Sequence, residues 1–380
     1  MRVVQVSVFV DPAGRAPEEL LDAWSGLTIP AEASAGAGCR TLVVQAASRD
    51  AIVERGDVDY HFVAEPGTAA LRRRLGGWAA AGTPRVIERV CALRPDVVHL
   101  HGLSFPRHAL ALARRVPYAA LLAQDHADRP PRPALRPLHR RGLRGVDGVM
   151  FTAHPQAERF RAARVLEPHT RVFEVLESTT RFTPGEQEQA RARSGLTGDP
   201  IFLWVARLDA NKDPLCVLEA FARTAPELPD AHLWMCHGLQ SPLLDAVQRR
   251  RSADPALRER VTLLGPRPHA EIELLLRAAD FLVQGSHQEG SGYSVLEALA
   301  CGTTPLVTDI PALRRITGGG AVGALSRPGD AVVMGDAMVR WARRDRAELR
   351  RRAQAHFEAH LSIPALGREL RTAYEAMRPA

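Results

Sequence analysis

Ser286-His-Gln-Glu289-Gly-Ser-Gly292-Tyr-Ser-Val-Leu-Glu297-Ala-Leu-Ala-Cys-Gly302 is the stretch on which both fold and chemistry turn. The stretch 280–285 before it, with Phe281-Leu-Val283 at its centre, reads as a buried strand, and 293–301 reads as a helix that starts near Gly292. Strand, glycine-containing loop and helix N-terminus in that order make an anion site. Glycines let the backbone approach a ligand, and the first amides of a helix form its positive end. The amides of Tyr293, Ser294 and Val295 are the expected phosphate donors. Glu289 lies just before the helix and Glu297 in its second turn, so both carboxylates can flank one molecule. A carboxylate accepts paired hydroxyl hydrogen bonds and suits ribose and sugar rings.

A second piece lies upstream, in Trp204-Val-Ala-Arg207-Leu-Asp-Ala-Asn-Lys212-Asp-Pro214. It follows the apolar run 201–206, at the carboxyl end of a strand, where open α/β sheets bind ligands. Arg207 and Lys212 put two cations where a diphosphate would carry growing negative charge. Lys212 is the sole lysine among 50 basic residues, in a chain that otherwise uses arginine.

Working outward, strand-like runs occur at 2–10, 41–46, 60–64, 96–101, 118–124, 147–153 and 171–176, then at 201–206, 231–237, 261–265, 280–285 and 304–308. Helical patterns at 84–94, 107–115, 214–224, 269–278 and 293–301 alternate with them. Many strands are continuously apolar, the mark of a parallel sheet covered on both faces. Two such arrays imply an α/β chain of two doubly wound, Rossmann-like domains facing each other across a cleft. The expected division is residues 1–180 and 181–363, with a last helix at 364–380 packing back on the first domain.

At 380 residues, 46% hydrophobic and 24% charged, the composition is globular. No run reaches the roughly 18 apolar residues of a membrane span. The first ten residues read as a strand rather than a signal peptide, so a cytoplasmic location is expected. Five scattered cysteines without a Cys-x-x-Cys pair exclude a disulfide framework or a zinc site. The net charge of +7 lacks the aromatic interleaving of a nucleic-acid surface, and no nucleic-acid partner is expected.

The region from 201 to about 330 resembles the donor domain of family 4 retaining glycosyltransferases, which have the GT-B fold. The resemblance rests on the Arg207…Lys212 pair, the Glu289-x7-Glu297 spacing, and Ala298-Leu-Ala-Cys-Gly302…Pro305-Leu-Val-Thr308. It implies that Arg207 and Lys212 bind a donor diphosphate, Glu297 the ribose and Glu289 the transferred sugar. It also implies that Gly290, Ser291 and Gly292 contact that sugar, the amides of Tyr293, Ser294 and Val295 a phosphate, and the backbone near Leu264 the base. In the first half, Asp96-Val-Val-His-Leu-His101-Gly and Tyr118-Ala-Ala-Leu-Leu-Ala-Gln-Asp-His126 resemble the family's strands ending in histidines. The resemblance makes His126 the active-site histidine and places His101 and Gly14 on the acceptor side. Asp11-Pro-Ala-Gly14-Arg replaces the family's Gly-Gly turn, and Leu176-Glu-Ser-Thr-Thr-Arg-Phe-Thr183 replaces its Asn-Gly-Val-Asp.

The implied activity is hexosyl transfer from a UDP- or GDP-sugar to an unidentified sugar, lipid or small-molecule acceptor, with no cofactor or metal required. A non-catalytic nucleotide-sugar-binding scaffold and a nucleotide-sugar epimerase share the same plan. Dinucleotide oxidoreduction lacks its Gly-x-Gly-x-x-Gly after the first strand. The plainer readings are a solvated turn for Arg207 and Lys212, surface acids for Glu289 and Glu297, and a structural role for His126. His99 and His101 share a strand face and read as a metal pair only if further ligands join them. Asp57-Val-Asp59 reads as a turn. Leu71-Arg-Arg-Arg-Leu75-Gly-Gly-Trp78 is the candidate for weak peripheral contact with the inner face of a membrane.

Overall fold

The alternation of apolar runs and helices resolves into two parallel sheets, each with its own core. The computed structural model describes residues 1–377 except 10, 12, 66–83, 125–128 and 240–241. His126 and the basic stretch 71–78 therefore lie outside the described residues. The chain forms two compact units, Met1–Thr179 joined by the residues from Ile363 onward, and Thr180–Ser362.

The first unit carries β1 (Arg2–Ser7), β2 (Arg40–Ala47), β3 (Ala51–Arg55), β4 (Val58–Ala64), β5 (Val97–His101), β6 (Ala120–Gln124), β7 (Gly148–Phe151) and β8 (Arg171–Glu174). Their order is β3-β4-β2-β1-β5-β6-β7-β8. All pairs are parallel except β3 with β4. Val3, Val4 and Val6 are fully buried, as a central strand covered on both faces requires. The edge strand β3 alternates half-buried and exposed residues and joins β4 through the two-residue turn Gly56–Asp57, with Gly56 at φ +58°. Asp59 then lies in β4 and pairs with Arg40 at 2.5 Å.

The helix Ile363–Ala376 belongs to this unit and packs on the helix Ser25–Gly36. Gly367 permits the approach, since a Cβ there would sit 2.3 Å from the Ala33 carbonyl oxygen. Leu366, Leu370 and Tyr374 are completely buried beneath it.

The second unit holds β9 (Ile201–Ala206), β10 (His232–His237), β11 (Val261–Gly265), β12 (Phe281–Gln284), β13 (Thr304–Thr308) and β14 (Ala324–Ser326). Their order is β11-β10-β9-β12-β13-β14, with every pair parallel. Phe202, Trp204, Phe221 and Phe281 fill its core. In both sheets the chain runs outward from one strand and then returns to that strand's other side. The reversal leaves a crevice at the carboxyl ends of β1 and β5, and another at those of β9 and β12.

No helix of the described residues is long and apolar enough to cross a membrane. All five cysteines are unpaired, and four of them are buried.

Candidate active site

The β9/β12 crevice is built by stitching two loops together. His287 N–H donates to the Asn211 carbonyl at 2.8 Å, and Asn211 Nδ2 donates to the Gln288 carbonyl at 3.0 Å. His287 Nε2 meets Asp213 Oδ2 at 2.9 Å, while Asp213 Oδ1 caps the helix Pro214–Thr224 through the Cys216 amide at 3.2 Å. Thr308 anchors the base of the second loop by donating to the Ser286 carbonyl at 2.5 Å. Gly285 is required here because a Cβ would lie 3.0 Å from the Asp213 carbonyl oxygen.

The stitch brings Lys212 to Glu289. Their side chains, 14% and 12% exposed, form an ion pair between Nζ and Oε1. Gln284 Nε2 approaches the same Oε1 at 3.5 Å and donates to Ser294 Oγ at 3.1 Å. Arg207 stands at the end of β9 with a 69% exposed side chain and reaches Asp209 at 3.3 Å. Asp209 in turn accepts the Lys212 amide at 3.0 Å, tying the two cations to one carboxylate.

The helix Tyr293–Cys301 begins at Gly292, whose φ of +65° is the left-handed conformation that glycine tolerates. A Cβ there would also press on Ile316 at 2.8 Å. Ser291 is buried, whereas Tyr293 is 36% exposed. One expectation needs correcting. The Val295 amide donates to the Gly292 carbonyl at 3.0 Å, because the first turn is tight, so Val295 drops out of the set of free phosphate donors.

Glu297 has a partner that spacing did not indicate. Its Oε1 accepts from His269 Nε2 at 2.8 Å, and the imidazole lies over Phe182 with ring centroids 4.6 Å apart. The hydrogen bond to Glu297 raises the His269 pKa, against the opposing effect of burial. His269 opens the helix that follows β11, four residues after Gly265, which sits at φ +70°. Leu264 is half-buried in that strand.

In the first unit, Asp11 folds the loop containing Gly14 by accepting the Ala13 and Arg15 amides at 3.2 and 2.9 Å. Burial raises the Asp11 pKa, but its hydrogen bonds with Arg15 and Ala13 outweigh that and leave it lowered. His99 and His101 stack on each other at 4.2 Å. They bond to Tyr374 and Gln5 rather than converging on an ion.

Residues 186–356 match the family model described as Glycosyl transferases group 1. This span takes in the whole β9/β12 crevice. The second unit is therefore similar to a group 1 glycosyl transferase domain. The chain is 35% identical to a D-inositol 3-phosphate glycosyltransferase of Nocardia farcinica over 188 residues, 47% of this chain and 41% of that protein. It is 28% identical over 343 residues to the protein of that name from Frankia alni, covering 81% and 79% of the two chains. With the Nocardia relative, the match spans less than half of the relative's length.

Among solved structures, sucrose-phosphate synthase from Thermosynechococcus elongatus superposes with a TM-score of 0.68 at 19% identity, covering 99% of this chain and 98% of that one. Anabaena HepE, solved with UDP and glucose, gives 0.66 at 14% identity over 99% and 100%. These likenesses, with two parallel-sheet Rossmann-like units, establish the GT-B fold. Within the matched span, Lys212, Glu289, Gly292 and Ser294 gather at one crevice, and Glu297 lies one turn farther along the same helix.

Proposed function

We propose that the protein is a retaining hexosyltransferase of family 4, taking its sugar from a UDP- or GDP-sugar. The observation that carries this reading is the Lys212–Glu289 ion pair, held by the stitched loops at the switch point of the second unit. A half-buried cation paired with a carboxylate can exchange that partner for a diphosphate. The released Glu289 can then accept hydrogen bonds from the sugar hydroxyls. Arg207, exposed beside it, supplies the second cation.

As the sugar–phosphate bond breaks, negative charge grows on the departing diphosphate. Lys212, Arg207 and the N-terminus of the helix Tyr293–Cys301 stabilise it where it forms. These groups carry the charge without calling on a metal. The acceptor hydroxyl attacks from the face the diphosphate leaves, and a diphosphate oxygen takes its proton, so the anomeric configuration is kept. Glu297, with one oxygen occupied by His269, offers the other to the ribose. His126 is assigned to the sugar by the family resemblance.

The donor class is supported by the Anabaena structures with UDP, glucose and UDP-glucose. The name shared by the Nocardia and Frankia relatives makes a polyol phosphate the first acceptor class to test. The experiment is nucleotide release from UDP-glucose, UDP-N-acetylglucosamine and GDP-mannose with D-inositol 3-phosphate and a panel of sugars, with product configuration read by NMR. Acceptor-dependent release with retention supports the reading. Donor binding without turnover across the panel favours a scaffold, and conversion of the donor without any acceptor favours an epimerase.

A further inference from the structure

The two histidines of β5 sit in a chain of hydrogen bonds whose direction can be worked out atom by atom. Gln124 Nε2 donates to the Val175 carbonyl at 3.0 Å, which fixes the orientation of that carboxamide and turns its Oε1 inward as an acceptor. That Oε1 and His99 Nε2 are both buried and short of a partner within ordinary hydrogen-bond geometry, while the Gln124 side chain does interact with the His99 ring. Two orphaned atoms of complementary character on adjacent strands satisfy each other only if His99 carries its proton on Nε2.

His99 Nδ1 is then an acceptor, and Tyr374 Oη, 2.8 Å away, must donate to it. The Tyr374 oxygen is left to accept, and Gln5 Nε2 lies 3.4 Å from it. Gln5 is oriented independently, because the same Nε2 donates to the Pro30 carbonyl at 3.2 Å. Its Oε1 consequently accepts from His101 Nε2 at 3.1 Å. Two backbone carbonyls, of Val175 and Pro30, thus pin both amides, and the amides pin both imidazoles.

The end of the chain is His101 Nδ1, a bare lone pair on a half-buried ring at the carboxyl end of β5. Burial pushes the His101 pKa down to about 4, against the opposing effect of Glu177, so the ring is neutral at physiological pH. The β1/β5 crevice is where the first sheet would take a ligand.

Resting on the transferase reading above, we infer that Gln5 is a positioning residue for the acceptor: anchored by the Pro30 carbonyl, it holds His101 in the Nε2–H tautomer and leaves Nδ1 to accept a hydrogen bond from an acceptor hydroxyl.

The test uses the full chain labelled with 15N-histidine. Long-range 1H–15N spectra should show His99 and His101 each as a single tautomer, Nε2 protonated and Nδ1 bare. Gln5→Met removes the acceptor from His101 and should turn its pattern into an averaged one while His99 keeps its own. Gln124→Met removes the acceptor at the other end and should first affect His99. A His101 protonated on Nδ1 in the unaltered chain overturns the inference, as do tautomers unchanged in both variants.

With UDP-glucose as donor and D-inositol 3-phosphate as acceptor, Gln5→Met should raise the acceptor KM about five- to tenfold, the worth of one oriented hydrogen bond. The donor KM should be unchanged. A loss confined to kcat, or shared equally by the donor KM, overturns the positioning role. If the unaltered chain turns over neither this pair nor any other in the panel, the transferase reading fails and the tautomer spectra alone decide the relay.

Discussion

The two crevices use polar groups in opposite ways. At the end of β9 and β12 the groups are charged, partly exposed and carried on loops that follow their own strands. At the end of β1 and β5 a neutral, largely buried network is drawn from positions 5, 99, 101, 124 and 374. A diphosphate brings its own charge and is held by cations that need only be near. A hydroxyl brings one donor and one acceptor, and it is discriminated only by a group whose proton is already placed. The difference predicts that substitutions in the second unit weaken donor binding and chemistry, whereas those in the first leave the donor untouched.

The sharpest break should come from Lys212→Ala. It removes a cation from the departing diphosphate and breaks the ion pair with Glu289. Loss of such a stabilising group typically costs about 100- to 1000-fold in kcat. Nucleotide release under saturating donor measures it, and a loss below tenfold would contradict the assignment.

Next in size is Gly367→Ala, which places a methyl 2.3 Å from the Ala33 carbonyl oxygen and forces the C-terminal helix outward. Overpacking of this kind costs about 1–3 kcal/mol. Urea denaturation should show that loss in the first unit's transition, while calorimetry should find UDP affinity unchanged. A matching fall in UDP affinity would erase the distinction between the two crevices.

A smaller effect is expected from His269→Ala, which frees Glu297 Oε1 and lets the carboxylate turn away from the ribose. UDP affinity should fall about three- to tenfold, in line with one ordinary hydrogen bond, since the His269 side chain is largely exposed. Discrimination between UDP and its 2′-deoxy analogue should narrow, and His269→Gln should restore much of both.

The smallest effect is a pH dependence. Pairing with Glu297 raises the His269 pKa, so the ring is charged below that value and loses its charge as pH climbs through it. The window runs upward from the ordinary histidine value. Over it, UDP affinity should decline about twofold, a modest change because the ring is largely exposed and screened. His269→Gln should show no such decline.

What the sequence revealed follows the same divide. β9 is an uninterrupted apolar run and β12 opens with Phe281-Leu-Val283, and Lys212, Glu289 and Glu297 follow them at short range, so the spacing pointed to the ends of these two strands. β3 was missed because a five-residue edge strand with one exposed face carries little apolar signal, although Gly56-Asp57 marks its hairpin turn. β14 has only three residues. Pairing of His269 with Glu297 spans 28 positions and two helices, and no periodicity reports it. Tyr374 is 275 residues from His99, so a helical pattern could show that it is buried but not what its hydroxyl touches. Val295 misled because a helix start was legible while its tight first turn was not.

The central claim is that the β9/β12 crevice grips a nucleotide diphosphate, and a crystal structure of the chain with UDP tests it most directly. The account predicts phosphate oxygens within hydrogen-bond distance of Lys212 Nζ and Arg207, Glu289 released from Lys212, and the ribose hydroxyls on Glu297. UDP bound elsewhere, or bound at this crevice with the Lys212–Glu289 pair intact, would contradict it.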